Sequence, residues 1–229
     1  RAIELLTKAS ANFSIDLIFG LEHQTLDGWM HTLQTAVAWN PAHFSCYNLT
    51  VEPKTRYAVE RDNGSLHLPE DSIQAEMFLA AHRFLISKGY GHYEISNYAK
   101  PGFESRHNLS YWNGQNYWGL GVSAHSFLKT SSGATRFWHP RSYREYIEDP
   151  CHIKSEPLSA KTYMAERVML SLRKLEGFSL AALETELQNP IDETLKTALT
   201  KNIERGFIEV KGDTYRLTEE GLLFSDSVF

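Results

Sequence analysis

Cysteine is scarce in this chain. Cys46 and Cys151 are the only two in 229 residues, and neither belongs to a CxxC pair. That excludes a disulfide scaffold and a thiolate zinc site, and it points to a reducing, cytosolic setting. Long hydrophobic runs are missing as well. No stretch approaches the ~20 apolar residues that a membrane helix needs, and nothing reads as a secretory leader. An excess of positive charge is also absent: 23 Lys and Arg stand against 28 Asp and Glu, a net of −5. No global field therefore draws in nucleic acid or an anionic membrane surface. Ten histidines are present, yet neither HExxH nor a Cys/His zinc spacing occurs among them. What remains is 42% apolar and 12% aromatic, enough for a real core. The chain opens on "RAIELLTKAS", already an amphipathic helix and without Met, so the natural N-terminus is expected upstream.

The first hundred residues alternate between two periods. "NFSIDLIFG" (12–20) is a short β-forming run and reads as a buried strand. "LDGWMHTLQTAVAWN" (26–40) puts Trp29, Leu33 and Val37 on one helical face and stops at Asn40-Pro41. "HFSCYNLTV" (43–51) is strand-like again. A polar loop holding Asn63-Gly64 leads to a helix over 69–90, with Ile73, Met77, Ala81 and Phe84/Leu85 inward and Gly89 at its end. "HYEISNYA" (92–99) reads as a third strand. Strand, helix, strand, helix, strand predicts an α/β fold with a parallel sheet, too short to close an eight-stranded barrel.

Residues 98–150 have weak periodicity, with one short helix suggested at 140–149, and a new block begins near Glu156. Helices are predicted over 158–175, 179–187 and 189–206, the last with Asn189 as N-cap, Pro190 at its first position and Gly206 after its end. "FIEV" and "TYRLT" flank Lys211-Gly212-Asp213 as a hairpin, and "EEGLLFSDSVF" is a closing helix. This describes a winged-helix-like module of about 75 residues. Residues 1–150 and 155–229 are the two expected domains. Nine basic residues against thirteen acidic ones over 155–229 argue against DNA binding there.

Several positions could carry chemistry. Asp16 is the only charge in the first strand; it is either a ligand contact near the C-terminal strand edge or a carboxylate holding a neighbour. "GLGVSAHS" (119–126) lacks phosphate-loop spacing. Its Gly119 and Gly121 suit a close backbone approach to a flat ligand or to another strand. "HNLSYW" (107–112) offers His107 as a metal or haem ligand and Tyr111 and Trp112 as stacking surfaces; on spacing alone, a hydrogen-bonded aromatic loop is the better reading. Cys46 reads as a small buried hydrophobe.

Taken in order, "SIDLIFGLEHQT", "FSCYNLTVEPKT", "GYGHYEISNYAKPGFESRHNLSYW", "YWGLGVSAHSF" and "YRLTEEGLLFSDSVF" closely resemble the radical S-adenosylmethionine family of oxygen-independent coproporphyrinogen III oxidases. "YEISN" leading into "HNLSYW" is similar to its haem-chaperone branch. The resemblance covers nearly all of this chain but only the C-terminal part of a family member. It implies the C-terminal part of a partial (β/α)₆ barrel followed by a winged-helix-like domain. It further implies S-adenosylmethionine contacts at Asp16, Ile18, Tyr47 and Thr50, and haem contacts at His107, Tyr111 and Trp112. Haem would be carried to apo-haem proteins. The alternative is an enzyme that oxidatively decarboxylates coproporphyrinogen III.

Three departures qualify this. The family's C-x3-C-x2-C motif for a 4Fe–4S cluster is absent, so two cysteines cannot build that site within this chain. Glu22-His23 stands where relatives carry Pro-Gly, and Ser123 stands where Gly is common. A barrel lacking its first half would also leave the strand at 13–19 with an open edge, suited to pairing with further chain or with a second copy in a dimer.

Overall fold

The computed structural model describes residues 2–9, 12–130 and 133–228, which fall into two compact units, Arg1–Glu104 and Ser105–Phe229. In the first unit α1 (Ala2–Ala9) precedes β1 (Ser14–Phe19), α2 (Leu26–Ala38), β2 (His43–Asn48), α3 (Arg56–Asp62), α4 (Asp71–Ser87), β3 (Gly91–Glu94) and β4 (Asn97–Ala99). Strands β1 and β2 are parallel, as a strand–helix–strand unit requires, with Ser14 opposite His43 and Phe19 opposite Asn48. Trp29, Leu33 and Ala36 of α2 and Met77, Ala81 and Leu85 of α4 pack on Phe19, Phe44 and Cys46 to make the core. The indole Nε1 of Trp29 donates to the Met77 carbonyl at 2.9 Å, so the largest core side chain leaves no orphan donor. Ile73, expected inward, is 37% exposed at the start of α4.

Three expectations for this unit are corrected. The segment 92–99 is not one parallel strand. The corner at Ile95-Ser96 folds it into β3 and β4, and β4 inserts between β2 and β3, antiparallel to both, giving the order β1-β2-β4-β3. Polar groups at the corner drive this: the Glu94 carboxylate accepts from the Ser96 amide and from the Asn97 side chain, and Cys46 N–H donates to Ser96 C=O at 2.7 Å. Second, β1 is not buried on both faces. It alternates, with Ser14, Asp16 and Ile18 exposed, Ile15 and Leu17 half-buried against the core, and Phe19 buried. Third, the polar loop contains α3, capped by Thr55 Oγ1, which accepts from the Ala58 amide. Among the described residues β1 pairs with β2 alone and forms the sheet edge.

The second unit begins with α5 (Arg106–Trp112) and continues through β5 (His125–Thr130), β6 (Gly133–Trp138), α6 (Tyr143–Glu148) and β7 (Lys154–Ser159). The weakly periodic region thus supplies β5 and β6 of an antiparallel β5-β6-β7 sheet that periodicity did not reveal, built on Phe127, Ala134, Leu158 and Tyr163. The helix expected from 158 starts later. Ser159 ends β7 and caps α7 (Ala160–Leu172), which buries Met164, Val168 and Leu172. Then come β8 (Phe178–Ser179), α8 (Leu180–Leu187), α9 (Glu193–Glu204), β9 (Ile208–Lys211), β10 (Thr214–Leu217), α10 (Glu219–Leu223) and α11 (Ser225–Val228). The N-cap of α9 is Asp192, not Asn189: its carboxylate accepts from the Leu195 amide at 2.8 Å, and Asn189-Pro190 stay in the link from α8. The hairpin at 208–217 is as expected, with β8 as a third strand on β10. The closing helix breaks at Phe224 into α10 and α11. Among the described residues no helix is long and apolar enough to cross a membrane.

Candidate functional site

The face of the β1-β2-β4 sheet opposite the core is polar. Period-2 alternation sends Phe44 and Cys46 to the core and leaves His43, Ser45 and Tyr47 on the opposite face, in register with Ser14, Asp16 and Ile18. Ser45 also pairs with Asn97, so Asp16, Ser45 and Asn97 form one row across three strands, continued by Glu94 through its bond to the Asn97 amide. Ser45, Asn97 and Glu94 are buried, whereas Asp16 is open to solvent. The Asn97 Oδ1 atom is buried and has no hydrogen-bond partner among the described residues. That is costly unless a ligand or water supplies a donor.

His43 anchors the neighbouring row. Its Nδ1 lies 2.8 Å from Ser14 Oγ and its Nε2 lies 2.8 Å from the Tyr93 hydroxyl. Burial holds its pKa below the usual value, opposed by the negative charges of Asp16 and Glu104. Burial pushes the Cys46 thiol up to about 12, with Asp16 adding to the shift, so Cys46 is an inert core member and not a thiolate ligand.

Three of the four residues expected to contact S-adenosylmethionine therefore share this face: Asp16 sits opposite Ser45, and Ile18 sits opposite Tyr47. Ile18 is 48% exposed and Tyr47 40%, two apolar surfaces held open beside a carboxylate. Thr50 is exposed in the loop after β2, at the carboxyl end of the parallel pair. Sequence reasoning missed His43, Ser45, Glu94 and Asn97. The available signal was polar side chains falling at alternate positions of strand-like runs.

The segment "HNLSYW" is not a loop but α5, capped by Ser105 Oγ, which accepts from the Asn108 amide. His107 is exposed in its first turn and meets Tyr111 edge-on, with centroids 4.9 Å apart, while Tyr111 meets Tyr117 at 4.6 Å. Trp112 belongs to another face: the Arg173 guanidinium lies 4.3 Å from its ring centroid and its Nε1 is buried without a hydrogen-bond partner among the described residues. Of the three haem candidates, His107 and Tyr111 are brought together, and Trp112 docks α5 on the end of α7. The next residues continue that docking. Asn113 Oδ1 accepts from Lys174 Nζ at 2.9 Å, and a Cβ on Gly114 would come within 2.5 Å of Arg167 Cδ.

The two glycines of "GLGVSAHS" differ. A Cβ on Gly119 would lie 2.1 Å from the His125 carbonyl, and its N–H donates to Ser126 Oγ at 3.0 Å, so the neighbour it accommodates is strand β5. Gly121 has φ of +109° and faces open space. Both departures in the sequence fall at strained backbone: His23 has φ of +59° and Ser123 of +62°. The 22–23 corner is held by the Glu22 carboxylate, which accepts from the His67 amide at 3.2 Å, and by His23 N–H to His67 C=O at 3.4 Å.

The fit to a 4Fe–4S cluster is poor. Cys46 is locked in a core and Cys151 is exposed in the other unit, and among the described residues no group of three His, Cys, Asp or Glu could hold a metal ion. The polar sheet face, with acceptors, donors and two open apolar side chains, does suit a nucleoside-like ligand.

Comparison with known proteins adds an independent line. Residues 158–224 match the model of the HemN C-terminal domain family. The chain is 34% identical over 224 residues to the heme chaperone HemW of Bacillus subtilis, covering 95% of this chain and 58% of that protein. It is 30% identical to the heme chaperone HemW of Escherichia coli, covering 95% of this chain and 56% of the relative. Among solved structures it is similar to one described as "Coproporphyrinogen III oxidase (HemN) from Escherichia coli is a Radical SAM enzyme". The TM-score is 0.72 and the identity 18%, over 94% of this chain and 53% of the other. The chain thus spans a little over half the length of these proteins.

Proposed function

We propose, from the premise that this chain belongs to the family of the HemN and HemW proteins, that it forms the ligand-facing C-terminal portion of a haem carrier. The observation that carries this reading is the row of Asp16, Ser45 and Asn97 beside Ile18 and Tyr47 on one sheet face that is open at Asp16, Ile18 and Tyr47, in a chain whose relatives are named heme chaperones. On that face Asp16 accepts hydrogen bonds from the ribose hydroxyls or the ammonium of S-adenosylmethionine. Ile18 and Tyr47 pack on its adenine, Thr50 borders the pocket at the strand ends, and Asn97 Oδ1 takes a donor. Such a cofactor supplies a 5′-deoxyadenosyl group to family members that also hold a cluster. The two cysteines here do not fit one, so no radical step is assigned to these residues.

Haem is the cargo in this reading. His107 offers an exposed imidazole backed by the Tyr111 ring, and transfer goes to apo-haem protein acceptors. The β1-β2 pair with α2 and α4 is read as part of a partial (β/α)₆ barrel. Residues 155–229 are read as a winged-helix-like domain, supported by the family match at 158–224. The open β1 edge is where additional strand, or a second copy, would pair.

Equilibrium dialysis with S-adenosylmethionine tests the sheet face. Asp16→Ala is expected to weaken binding by about tenfold, the scale of one charged hydrogen bond; unchanged affinity would remove Asp16 from the site. For haem, hemin titration followed at the Soret band is expected to show weaker binding in His107→Ala, and an identical curve would leave His107 as a helix-surface residue. Conversion of coproporphyrinogen III to protoporphyrinogen IX under anaerobic, reducing conditions would favour the enzyme reading instead.

A further inference from the structure

The corner between β3 and β4, which brings Asn97 into the row with Ser45 and Asp16, is closed by side chains. The pairing of β3 with β4 is irregular between His92 and Glu94, so the ladder is interrupted just before the turn. Two side chains take over there. The Glu94 carboxylate accepts from the Ser96 amide and from the Asn97 side chain. The His92 ring reaches forward to the Ile95 carbonyl, with Nε2 3.0 Å from the oxygen, and stacks on Tyr98 with centroids 4.1 Å apart. Cys46 N–H donates to Ser96 C=O at 2.7 Å and Asn97 sits opposite Ser45, so the same corner fixes β4 against β2.

The partners of His92 assign its tautomer. A carbonyl only accepts, so Nε2 carries the proton and Nδ1 keeps a lone pair. Facing that lone pair at 2.8 Å is Nδ1 of His82 on α4, which therefore donates. A second proton on His92 would set N–H against N–H, and burial opposes the charge, so hydration favours a ring turned out of the corner. The groups that face His92 are His82 and the apolar Phe78 from α4, the Tyr98 ring from β4, and Glu94 in the corner itself. Burial raises the Tyr98 hydroxyl well above its usual value, so it stays neutral, and the Glu94 carboxylate is engaged with Ser96 and Asn97.

We infer that the His82–His92 pair is an acid-released clamp on this corner, which keeps the Asp16, Ser45 and Asn97 row assembled at neutral pH and lets it loosen in acid. The inference rests on the reading of that face as a ligand site and adds a control to it. Burial lowers the pKa of the clamped His92 to about 4, whereas a hydrated ring keeps about 6.5. The open corner takes up the proton first. Opening is therefore little changed above pH ~7 and grows as pH falls toward ~4, by roughly 30-fold at pH ~5.

Amide hydrogen exchange of the full chain, followed by NMR at Cys46 and Ser96, tests the clamp. Their protection factors are expected to fall roughly 30-fold between pH ~7.5 and pH ~5. Dilute urea is expected to change them little, because a local opening exposes little surface. His92→Gln keeps a donor and an acceptor without titrating, and is expected to abolish the pH response. Should circular dichroism show that variant unfolded, His82→Gln removes the second imidazole and is expected to shrink the response. Saturating S-adenosylmethionine is expected to raise protection at both amides. Protection independent of pH, a urea dependence equal to that of the Leu33 amide in α2, or an undiminished response in either variant overturns the clamp. If dialysis shows S-adenosylmethionine bound while the corner is unchanged, the coupling is overturned and the ligand reading stands. No binding at pH ~7.5 removes the ligand reading, and the coupling with it.

Discussion

His23 sits at φ of +59° with its side chain 76% exposed, so it bears the steric cost of a left-handed backbone with little packing in return. That conformation costs an L-residue roughly 1–2 kcal/mol, which glycine escapes at some entropic cost in the unfolded chain. His23→Gly is therefore expected to stabilise the protein by about 0.5–1 kcal/mol, and His23→Ala, which keeps the Cβ, is not. A thermal melt comparing the two variants decides it, since an equal response to both would place the strain elsewhere. The Glu22 and His67 contacts explain how the corner tolerates the wrong residue type: they fix the backbone from outside it.

At the scale of elements, α5 is only seven residues long and owes its position to α7 rather than to helix propensity. Arg167, 5% exposed, makes a paired ion bond to Glu186, with Nη1–Oε1 at 2.7 Å and Nη2–Oε2 at 3.2 Å, while Gly114 packs on its stem. Gly114→Ala must displace that stem and also carry a Cβ at φ of +58°. A loss of about 1–3 kcal/mol in denaturant unfolding is expected, from backbone strain and the displaced stem of buried Arg167, whose partner Glu186 is exposed; a change within about 0.5 kcal/mol would mean that Arg167 moves aside freely. The same element shows where sequence reading runs out. The four-residue spacing of Trp29 and Leu33 announced α2 because one apolar stripe meets one core. In α5 the contacts are a cation on Trp112, an amide on Lys174 and a glycine on Arg167, and none of these has a period. For a similar reason "HYEISNYA" looked like a single strand. No Gly or Pro interrupts it, and the turn is made by Glu94 and Asn97 side chains instead. The Asp16–Tyr47 face was legible only as separate residues, since which strands are neighbours, and in what register, is a property of the sheet.

For the molecule as a whole, acid should be the weak direction. His92 stacks on Tyr98 at 4.1 Å, has its Nδ1 2.8 Å from His82 Nδ1, and donates from Nε2 to Ile95 C=O at 3.0 Å. Burial, reinforced by His82, lowers its pKa from 6.5 to about 4, and His43 shifts in the same direction. A folded-state pKa below the unfolded value means that the unfolded chain takes up the proton first. The stability is therefore complete above pH ~6.5 and is lost as pH falls toward ~4, by up to about 3 kcal/mol for His92. His92→Leu should flatten the pH dependence of the unfolding midpoint over that window, and an unchanged slope would assign the acid sensitivity to other groups.

The β1–β2 register carries one more consequence. Side chains alternate between an apolar layer and a polar one, so sliding β1 by a single residue would turn Asp16 into the Phe44 and Leu33 layer and bring Leu17 out to water. A buried, unpaired carboxylate would penalise the slipped pairing more than any lost apolar contact. The residues proposed to present a ligand surface thus also act as the proofreading of strand alignment, and a variant that neutralises Asp16 to improve packing would remove a safeguard against misregistered folding.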